Sequence, residues 1–228
     1  MGSSDYTKSI GQDWKKSNYY DDAESDSWIG IFWDENSLFK KMFAKLDVSS
    51  VVELACGHGR HVQKYIDDSS SITLVDINEE NIAFCKNRFK EDTRFHYLVT
   101  SGNNFSGIKE GSQTAVFSYD AMVHFEMLAV SDYLAETFRV LCPGGKALFH
   151  HSNYTGNPDN SYRDSPGWRN FMSADIFRYL AIRCGFTVIA QHVIDWSVPD
   201  LDCLTLLEKN AVQGQIHRQA LMRLLRKS

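Results

Sequence analysis

The sequence predicts an α/β protein with a doubly wound, mostly parallel, seven-stranded sheet that ends in an antiparallel strand pair. Three observations support this prediction. From residue 50 onward, short β-rich runs alternate with helical patterns, as in parallel sheets flanked by helices. A glycine turn follows the first run, and an acidic residue ends the second. The last two runs are joined by a short connection, which favours an antiparallel pair.

The first 49 residues predict a helical segment that forms a cap or lid ahead of the sheet. Its aromatic residues are interspersed with acids, and two roles are open for them. They can pack onto the core, or they can cover a pocket and exclude water from it. These aromatics are Trp14, Tyr19, Tyr20, Trp28, Phe32 and Trp33.

Residues 50–208 are expected to form one domain, in which five parallel strands alternate with helices. The predicted strands cover residues 51–55, 72–76, 95–99, 114–120 and 146–151. Helical periodicity predicts helices over 60–67, 79–89 and 129–141.

The end of the domain is predicted from proline, glycine and serine signals. The sequence CysProGlyGly at 142–145 stops the preceding helix, because neither residue type extends one well. Ser173 is a predicted N-cap of a helix that runs to about Cys184. Two strands follow over 186–194 and 201–208, and the basic stretch 209–228 predicts an amphipathic helical tail that docks on the domain or on a second copy of the chain, as in a homodimer.

Composition and charge exclude several classes of protein. The chain has 228 residues, 43% hydrophobic and 23% charged, as in ordinary globular proteins. The net charge of −5 gives no basic face for nucleic acid, and no apolar run is long enough for a membrane span. The start of the chain lacks the apolar region of a secretory signal. Five scattered cysteines without metal-type spacing fit a reducing compartment, so we expect a cytoplasmic protein.

A glycine turn after the first predicted strand is the strongest functional signal. In Glu53-Leu-Ala-Cys-Gly57-His-Gly59-Arg60, the glycines lie where a strand turns towards a helix, and backbone N–H groups there can meet a carboxylate or phosphate. Asp76, 19 residues beyond Gly57, can accept both hydroxyls of a ribose. The two features together predict a nucleoside ligand. The dinucleotide pattern GxGxxG is not completed, which disfavours a nicotinamide-dependent dehydrogenase.

At this point the sequence resembles the class I S-adenosylmethionine-dependent methyltransferases. The resemblance spans about residues 50–208 and rests on four segments in order: ELACGHGR, LVDINEENIAFCKNRF, VFSYDAMVHFE and RVLCPGGKALFHHSN. It implies a Rossmann-like fold and S-adenosylmethionine as cofactor, with S-adenosylhomocysteine as product. It further implies that the cofactor is bound by Glu53, Ala55, Gly57, Gly59, Arg60, Asp76, Ile77, Asn103, Asn104, Phe105, Tyr119 and Asp120. Asn103 and Asn104 stand where many members carry an acid, which leaves that side of the adenine open.

Three histidines are candidate catalytic groups, because they follow the fourth and fifth predicted strands, where this fold places its active site. His124, His150 and His151 have a side chain whose ordinary pKa suits proton transfer near neutrality. Because side chains alternate along a strand, only one of His150 and His151 is expected to reach the pocket. We favour His151 or His124 as general base. A metal site built from His58, His61, His150 and His151 is also conceivable, but no acidic metal triad is recognisable and none is expected.

The polar loop over 152–173 has the length of a functional loop and is expected to close over the substrate. Hydrogen bonds, stacking and ion pairing with the substrate are expected from Trp33, Asn153, Tyr154, Arg163, Trp168 and Arg169.

These features predict a methyltransferase that acts on a small polar metabolite. O-methylation of a sugar-like or secondary-metabolite hydroxyl is favoured, with a histidine that accepts the proton. N-methylation of a small amine is the alternative within the class. A nicotinamide-dependent oxidoreductase and a catalytically silent cofactor-binding domain are the alternatives from other classes.

Overall fold

A computed structural model of the chain describes residues 3–16, 19–159 and 161–210. Four helices precede the sheet: α1 (Ser3–Lys15), α2 (Tyr19–Asp22), α3 (Asp26–Trp33) and α4 (Leu38–Phe43). The predicted tail over 209–228 lies outside the described residues from position 211 onward. Within the described residues, no helix is both long and apolar enough to pass through a bilayer.

The strands and helices of the domain follow one another in the predicted order. They are β1 (Ser50–Leu54), β2 (Ser71–Asp76), α5 (Glu79–Arg88), β3 (Phe95–Val99), β4 (Gln113–Ser118), α6 (Met127–Val140), β5 (Leu141–Ser152), α7 (Ala174–Arg183), β6 (Phe186–Trp196) and β7 (Val198–Lys209). The sheet order is β3-β2-β1-β4-β5-β7-β6. The first five strands are parallel, whereas β7 runs antiparallel to both β5 and β6. The predicted fold class is confirmed.

Each central strand contributes to two apolar layers, one on each face of the sheet. Val116 belongs to the layer under α6 and α7, whereas its neighbour Phe117 belongs to the layer under α3, α4 and α5. Leu148 and Phe149 divide in the same way. This alternation is the period of an extended strand, and it explains why the central strands are apolar on both sides.

One predicted helix is wrong. Residues 60–67 form two short 3₁₀ turns, Val62–Lys64 and Ile66–Asp68, in place of an α-helix. The bonds in this segment run from each N–H to the carbonyl three residues earlier, as from Val62 to Gly59 and from Tyr65 to Val62. This tighter path buries the Tyr65 ring, whose hydroxyl donates to Glu53 Oε2 across 2.6 Å.

Two predicted boundaries differ from the structure, whereas a third agrees. Residue pairing in β5 begins at Leu141, five residues before the predicted start, since Leu141 pairs with Gln113 of β4. The predicted connection over 196–200 shrinks to Ser197, which takes a positive φ of 54°. Ser173 caps α7 as predicted, because its side chain accepts a hydrogen bond from the Ile176 N–H.

Candidate active site

A cavity of about 930 Å³, part of it open to solvent, lies at the carboxyl ends of β1, β2 and β4. The helices α1 and α2 line its other side. This is the edge at which ligands bind in open α/β sheets. The cavity contains residues from the glycine turn, from the end of β2 and from the segment after β4, so the structure brings the main predicted signals to one place.

The glycine turn supports this cavity through its backbone conformation. Gly57 and Gly59 have φ of 54° and 74°, values that glycine adopts at little cost. Their N–H groups, which we expected to face a ligand, are used within the protein. Gly57 donates to Asp76 Oδ2 across 2.9 Å, and Gly59 donates to the Cys56 carbonyl across 2.8 Å. A side chain at Gly57 would also crowd the Tyr20 ring, because a Cβ atom there would lie 3.0 Å from it.

Asp76 ends β2 and is the buried carboxylate of the cavity. Its Oδ2 accepts from Gly57, and its Oδ1 accepts from the Asn78 N–H across 2.8 Å. Burial raises the pKa of Asp76 above its ordinary value. Each oxygen retains a second lone pair. The carboxylate is therefore oriented by backbone donors and can still accept two ligand hydroxyls, as the resemblance implies.

Arg60 connects the glycine turn to the end of β4. Its Nη2 lies 3.3 Å from Asp120 Oδ2 and donates to the Tyr19 hydroxyl across 3.1 Å. Tyr19 also donates to Asp120. Asp120 has φ of 56°, a region that side chains rarely adopt and that often marks functional sites.

The other guanidinium nitrogen gives a test of cofactor fit. Arg60 Nη1 is buried and finds no hydrogen-bond partner among the described residues. Arg60 lines the cavity, so an anionic group bound there would satisfy this donor. S-adenosylmethionine carries a ribose diol and an α-carboxylate. Asp76 and Arg60 offer an acceptor and a donor for these two groups, and the residues present therefore fit the cofactor.

His124 lies in the short 3₁₀ turn after β4 and lines the cavity. Burial lowers the pKa of His124 to about 4, so the ring is neutral near pH 7. Its Nδ1 donates to the Trp168 carbonyl across 2.9 Å. A neutral ring that donates through Nδ1 carries its lone pair on Nε2. Of the three candidate histidines, His124 alone lines a cavity.

The other two candidate histidines serve the fold. His150 is fully buried, with Nδ1 accepting from the Asp120 N–H and Nε2 donating to Asp202. His151 points to the other face of the sheet and stacks on Phe177 at 3.7 Å between ring centres. Its two nitrogens bond the Ser152 carbonyl and the Thr205 hydroxyl, and burial lowers its pKa to about 3. Our preference for His151 as a general base is therefore corrected.

The predicted cofactor residues divide into two groups. The residues that line the cavity are Ala55, Gly57, Arg60, Asp76, Ile77, Tyr119 and Asp120. The residues outside its lining are Glu53, Gly59, Asn103, Asn104 and Phe105. Phe105 is buried in the core against Tyr133, and Asn103 donates to Asp132 on α6. Thr100 and Gly102 occupy the border that the asparagines were expected to form.

The predicted substrate residues divide in a similar way. Trp168 and Arg169 line a second cavity next to the first. Trp33 packs on Phe39 and Phe43 and donates to His61, so it belongs to the core.

The remaining loop residues act in the structure of the loop. Asn153 accepts from the Ala174 N–H at the start of α7 and donates to the Asp200 carbonyl. Tyr154 bridges to Phe171. Arg163 pairs with Asp13 of α1 and thereby ties the loop to the N-terminal helix.

Sequence reasoning missed the side of the cavity that α1 forms. Thr7, Ile10 and Gly11 all line it. A Cβ atom at Gly11 would lie 2.6 Å from the Ile77 side chain, so the helix approaches the end of β2 at that point. A glycine inside a helical pattern is the available sequence signal for such a close approach.

Within the part of the chain that the structure describes, no group of three or more histidine, cysteine or acidic residues is arranged to hold a metal ion. The fold and the cavity thus define a nucleoside-binding domain of the doubly wound α/β class.

Comparison with known proteins identifies the family of this domain. Residues 51–145 match the family model described as a methyltransferase domain. The chain is 24% identical over 163 residues to YqeM of Bacillus subtilis, which carries a provisional methyltransferase name. This match covers 67% of the chain and 62% of YqeM, so the chain spans less than two thirds of that relative.

Solved structures share the fold. PH0226 of Pyrococcus horikoshii superimposes with a TM-score of 0.66 at 21% identity, over 87% of this chain and 99% of that protein. Geranyl diphosphate C-methyltransferase of Streptomyces coelicolor, solved with S-adenosylhomocysteine, gives a TM-score of 0.65 at 12% identity, over 90% and 97% of the two chains. Together, the family match and the fold identify a class I S-adenosylmethionine-dependent methyltransferase domain in this chain.

Proposed function

We propose that this protein transfers a methyl group from S-adenosylmethionine to a hydroxyl of a small metabolite and that His124 accepts the hydroxyl proton. One observation carries the proposal. The cavity that holds Asp76 and Arg60 meets a second cavity at His124, which lines both. A cofactor bound in the first cavity and an acceptor bound in the second would therefore meet beside a neutral imidazole.

The chain's own residues would orient the two reactants. Asp76 would accept the ribose hydroxyls, and Arg60 would pair with the carboxylate of the cofactor. When bound, S-adenosylmethionine supplies an electrophilic methyl group on a sulfonium sulfur, which leaves with the electron pair of the broken bond. The protein is then needed mainly for alignment and for exclusion of water. The helices α1 and α2 supply the cover, with Trp14 and Tyr20 lining the cavity.

His124 supports the O-methylation proposal through the position of its protons. Its Nδ1–H is held by the Trp168 carbonyl, which leaves Nε2 as the atom that can accept a proton. Burial lowers the pKa of His124 to about 4, so the ring is unprotonated and ready to accept at neutral pH.

The same low pKa favours N-methylation as a second candidate. An imidazole with a pKa of about 4 is a weak base, and a neutral amine attacks without prior deprotonation. In that case His124 would only orient the acceptor through a hydrogen bond.

Calorimetry with S-adenosylhomocysteine tests cofactor binding. We expect the wild-type protein to bind it and Asp76→Ala to bind it about 10- to 150-fold more weakly, since about 1.5–3 kcal/mol is typical of a hydrogen bond to a charged group. Asp92→Ala, which removes a carboxylate paired with Arg94 outside the cavity lining, is the matched control. Binding of NAD without binding of S-adenosylhomocysteine would instead support an oxidoreductase.

Transfer itself is tested with methyl-labelled S-adenosylmethionine and fractionated metabolites of the source cell. A labelled product identifies the acceptor, and its stability to mild base and acid distinguishes an ether from an ester or an amine. Cofactor binding without any labelled product would support a silent binding domain.

A further inference from the structure

The second cavity is walled mainly by aromatic rings. It has a volume of about 710 Å³, including space open to solvent. Four of the five tryptophans of the chain line it. We name it the tryptophan cavity and define it by Trp14, Tyr19, Trp28, Asp120, His124, Gly167, Trp168, Arg169 and Trp196.

The rings of the tryptophan cavity come from distant parts of the chain and support one another. The ring centres of Trp14 in α1 and Trp168 in the loop after β5 are 5.0 Å apart, with an angle of 61° between the planes. Trp14 also lies 4.5 Å from the His124 ring. Tyr19 and Trp28 meet edge to face at 6.3 Å. Such walls offer faces and edges to a flat ligand at a low cost in side-chain entropy.

The tryptophan cavity is continuous with the cofactor cavity. Trp14, Tyr19, Asp120 and His124 line both. A molecule in the tryptophan cavity would therefore reach His124 and the cofactor cavity from the side opposite Asp76. This placement fits an acceptor site better than a second cofactor site.

The charged groups in the wall are already paired. Arg169 makes two hydrogen bonds to Asp202, at 2.9 and 2.5 Å, and a third to the Gly167 carbonyl. Asp120 is engaged by Arg60 and Tyr19. No wall carboxylate is thus left to balance a cationic ligand, and Arg169 would repel one. A highly hydroxylated sugar would also find few open hydrogen-bond partners, since His124 Nε2 is the main polar atom left in the wall. The wall therefore favours a neutral ring with one polar edge.

We propose that the tryptophan cavity is the acceptor subsite and takes a neutral, flat aromatic or heteroaromatic ring whose hydroxyl points to His124. This inference rests on the proposed function and narrows its substrate class from a sugar-like to an aromatic acceptor.

Three probes of similar size test the inference by calorimetry in the presence of saturating S-adenosylhomocysteine. They are 2-naphthol, its saturated analogue decahydro-2-naphthol, and N,N,N-trimethyl-2-naphthylammonium. We expect 2-naphthol to bind about tenfold more tightly than either of the others. Equal binding of 2-naphthol and its saturated analogue, absence of binding by all three, or tighter binding of the cation would overturn the proposal.

Variants at Trp168 locate the binding site. Trp168→Leu is expected to weaken 2-naphthol binding about tenfold, whereas Trp168→Phe, which keeps a ring, should retain most of it. Trp33→Phe is the matched control, because Trp33 is the one tryptophan of the chain outside the lining. Equal losses in Trp168→Leu and Trp33→Phe would contradict the assignment.

Failure of this inference can be told apart from failure of the proposed function. The same protein is titrated with S-adenosylhomocysteine alone. Binding of S-adenosylhomocysteine without preference for 2-naphthol rejects only the aromatic acceptor. Absence of S-adenosylhomocysteine binding rejects the proposed function as well.

Discussion

The backbone N–H of Asp120 donates a hydrogen bond to Nδ1 of His150 across 3.1 Å, while Asp120 itself has a φ of 56°. His150 Nε2 in turn donates to Asp202 across 3.0 Å, and Arg169 holds the same carboxylate. A side chain in this backbone region persists only where its surroundings hold it. The buried chain of bonds from Arg169 to His150 therefore fixes the position from which the Asp120 carboxylate meets Arg60.

Replacement of His150 by phenylalanine tests this positioning role. His150→Phe keeps a ring but leaves the Asp120 N–H and the Asp202 carboxylate each short of a partner. We expect the free energy of unfolding, measured by urea denaturation, to fall by about 1–3 kcal/mol. His96→Phe, at an exposed position of β3, is the control and should change it by less than about 0.5 kcal/mol. Equal losses in the two variants would count against a specific role for His150.

A comparison of two buried histidines tests proton acceptance. Once an acceptor is known, His124→Gln should lower kcat by about 10²- to 10⁴-fold, the usual contribution of a general base. His151→Gln is the control, since His151 is buried away from the cavities and should affect stability more than turnover. If neither change slows turnover, base catalysis by these residues is wrong and the amine acceptor is favoured.

The strand order along the chain and the main cofactor signals could be predicted from the sequence, because they are local. The glycine turn, Asp76 and the segment around Tyr119 each follow a strand, and parallel strands bring such ends together. The exclusion of His151 was not predictable, since alternation along β5 shows only that His150 and His151 face opposite sides. Which of the two sides is closed depends on α7 and β7, which pack against His151 from far along the chain.

The cover of the site was left open for a similar reason. Acids and aromatics in the first 49 residues fit either a lid or a packed cap, and the structure contains both roles. Phe32 and Trp33 are buried in the core, whereas Trp14, Tyr19 and Tyr20 line the cavity. Periodicity within a short helix does not reveal which distant surface it packs against. The contact of Gly11 with Ile77 is a tertiary contact of this kind.

The close approach of α1 to the end of β2 predicts a specific effect at Gly11. Gly11→Ala would place a Cβ atom 2.6 Å from Ile77 Cγ2, so α1 must shift away from the cavity. We expect weaker binding of S-adenosylhomocysteine and faster limited proteolysis of the N-terminal segment. Gly30→Ala is the matched control, since nothing lies within 4 Å of its Cβ position. That change should leave binding unaltered and can stabilise α3, as alanine does in helices. Unaltered binding in Gly11→Ala would show that α1 does not shape the site.

Glu53 gives a prediction about the pH dependence of stability. The carboxyl is buried in β1, and burial raises its pKa from 4.5 to about 8. Between these two values the unfolded chain releases the proton while the folded protein keeps it. The unfolded state thus binds fewer protons, and this group's contribution to stability falls as the pH rises from about 4.5 to 8. The loss is on the order of 1 kcal/mol per pH unit within that window.

Glutamine at this position removes the titration but keeps a carbonyl that can accept from the Tyr65 hydroxyl, which lies 2.6 Å from Glu53 Oε2. Urea denaturation of the wild type and Glu53→Gln at pH 5, 6, 7 and 8 should therefore give curves of stability that diverge with rising pH, in favour of the variant. Glu91→Gln, at an exposed site, should follow the wild type throughout. Parallel curves for Glu53→Gln and the wild type would mean that Glu53 is already ionised in the folded protein near pH 5. Its partner would then be a cation, and Arg60 would be the first residue to examine, since its charge lowers the pKa of Glu53.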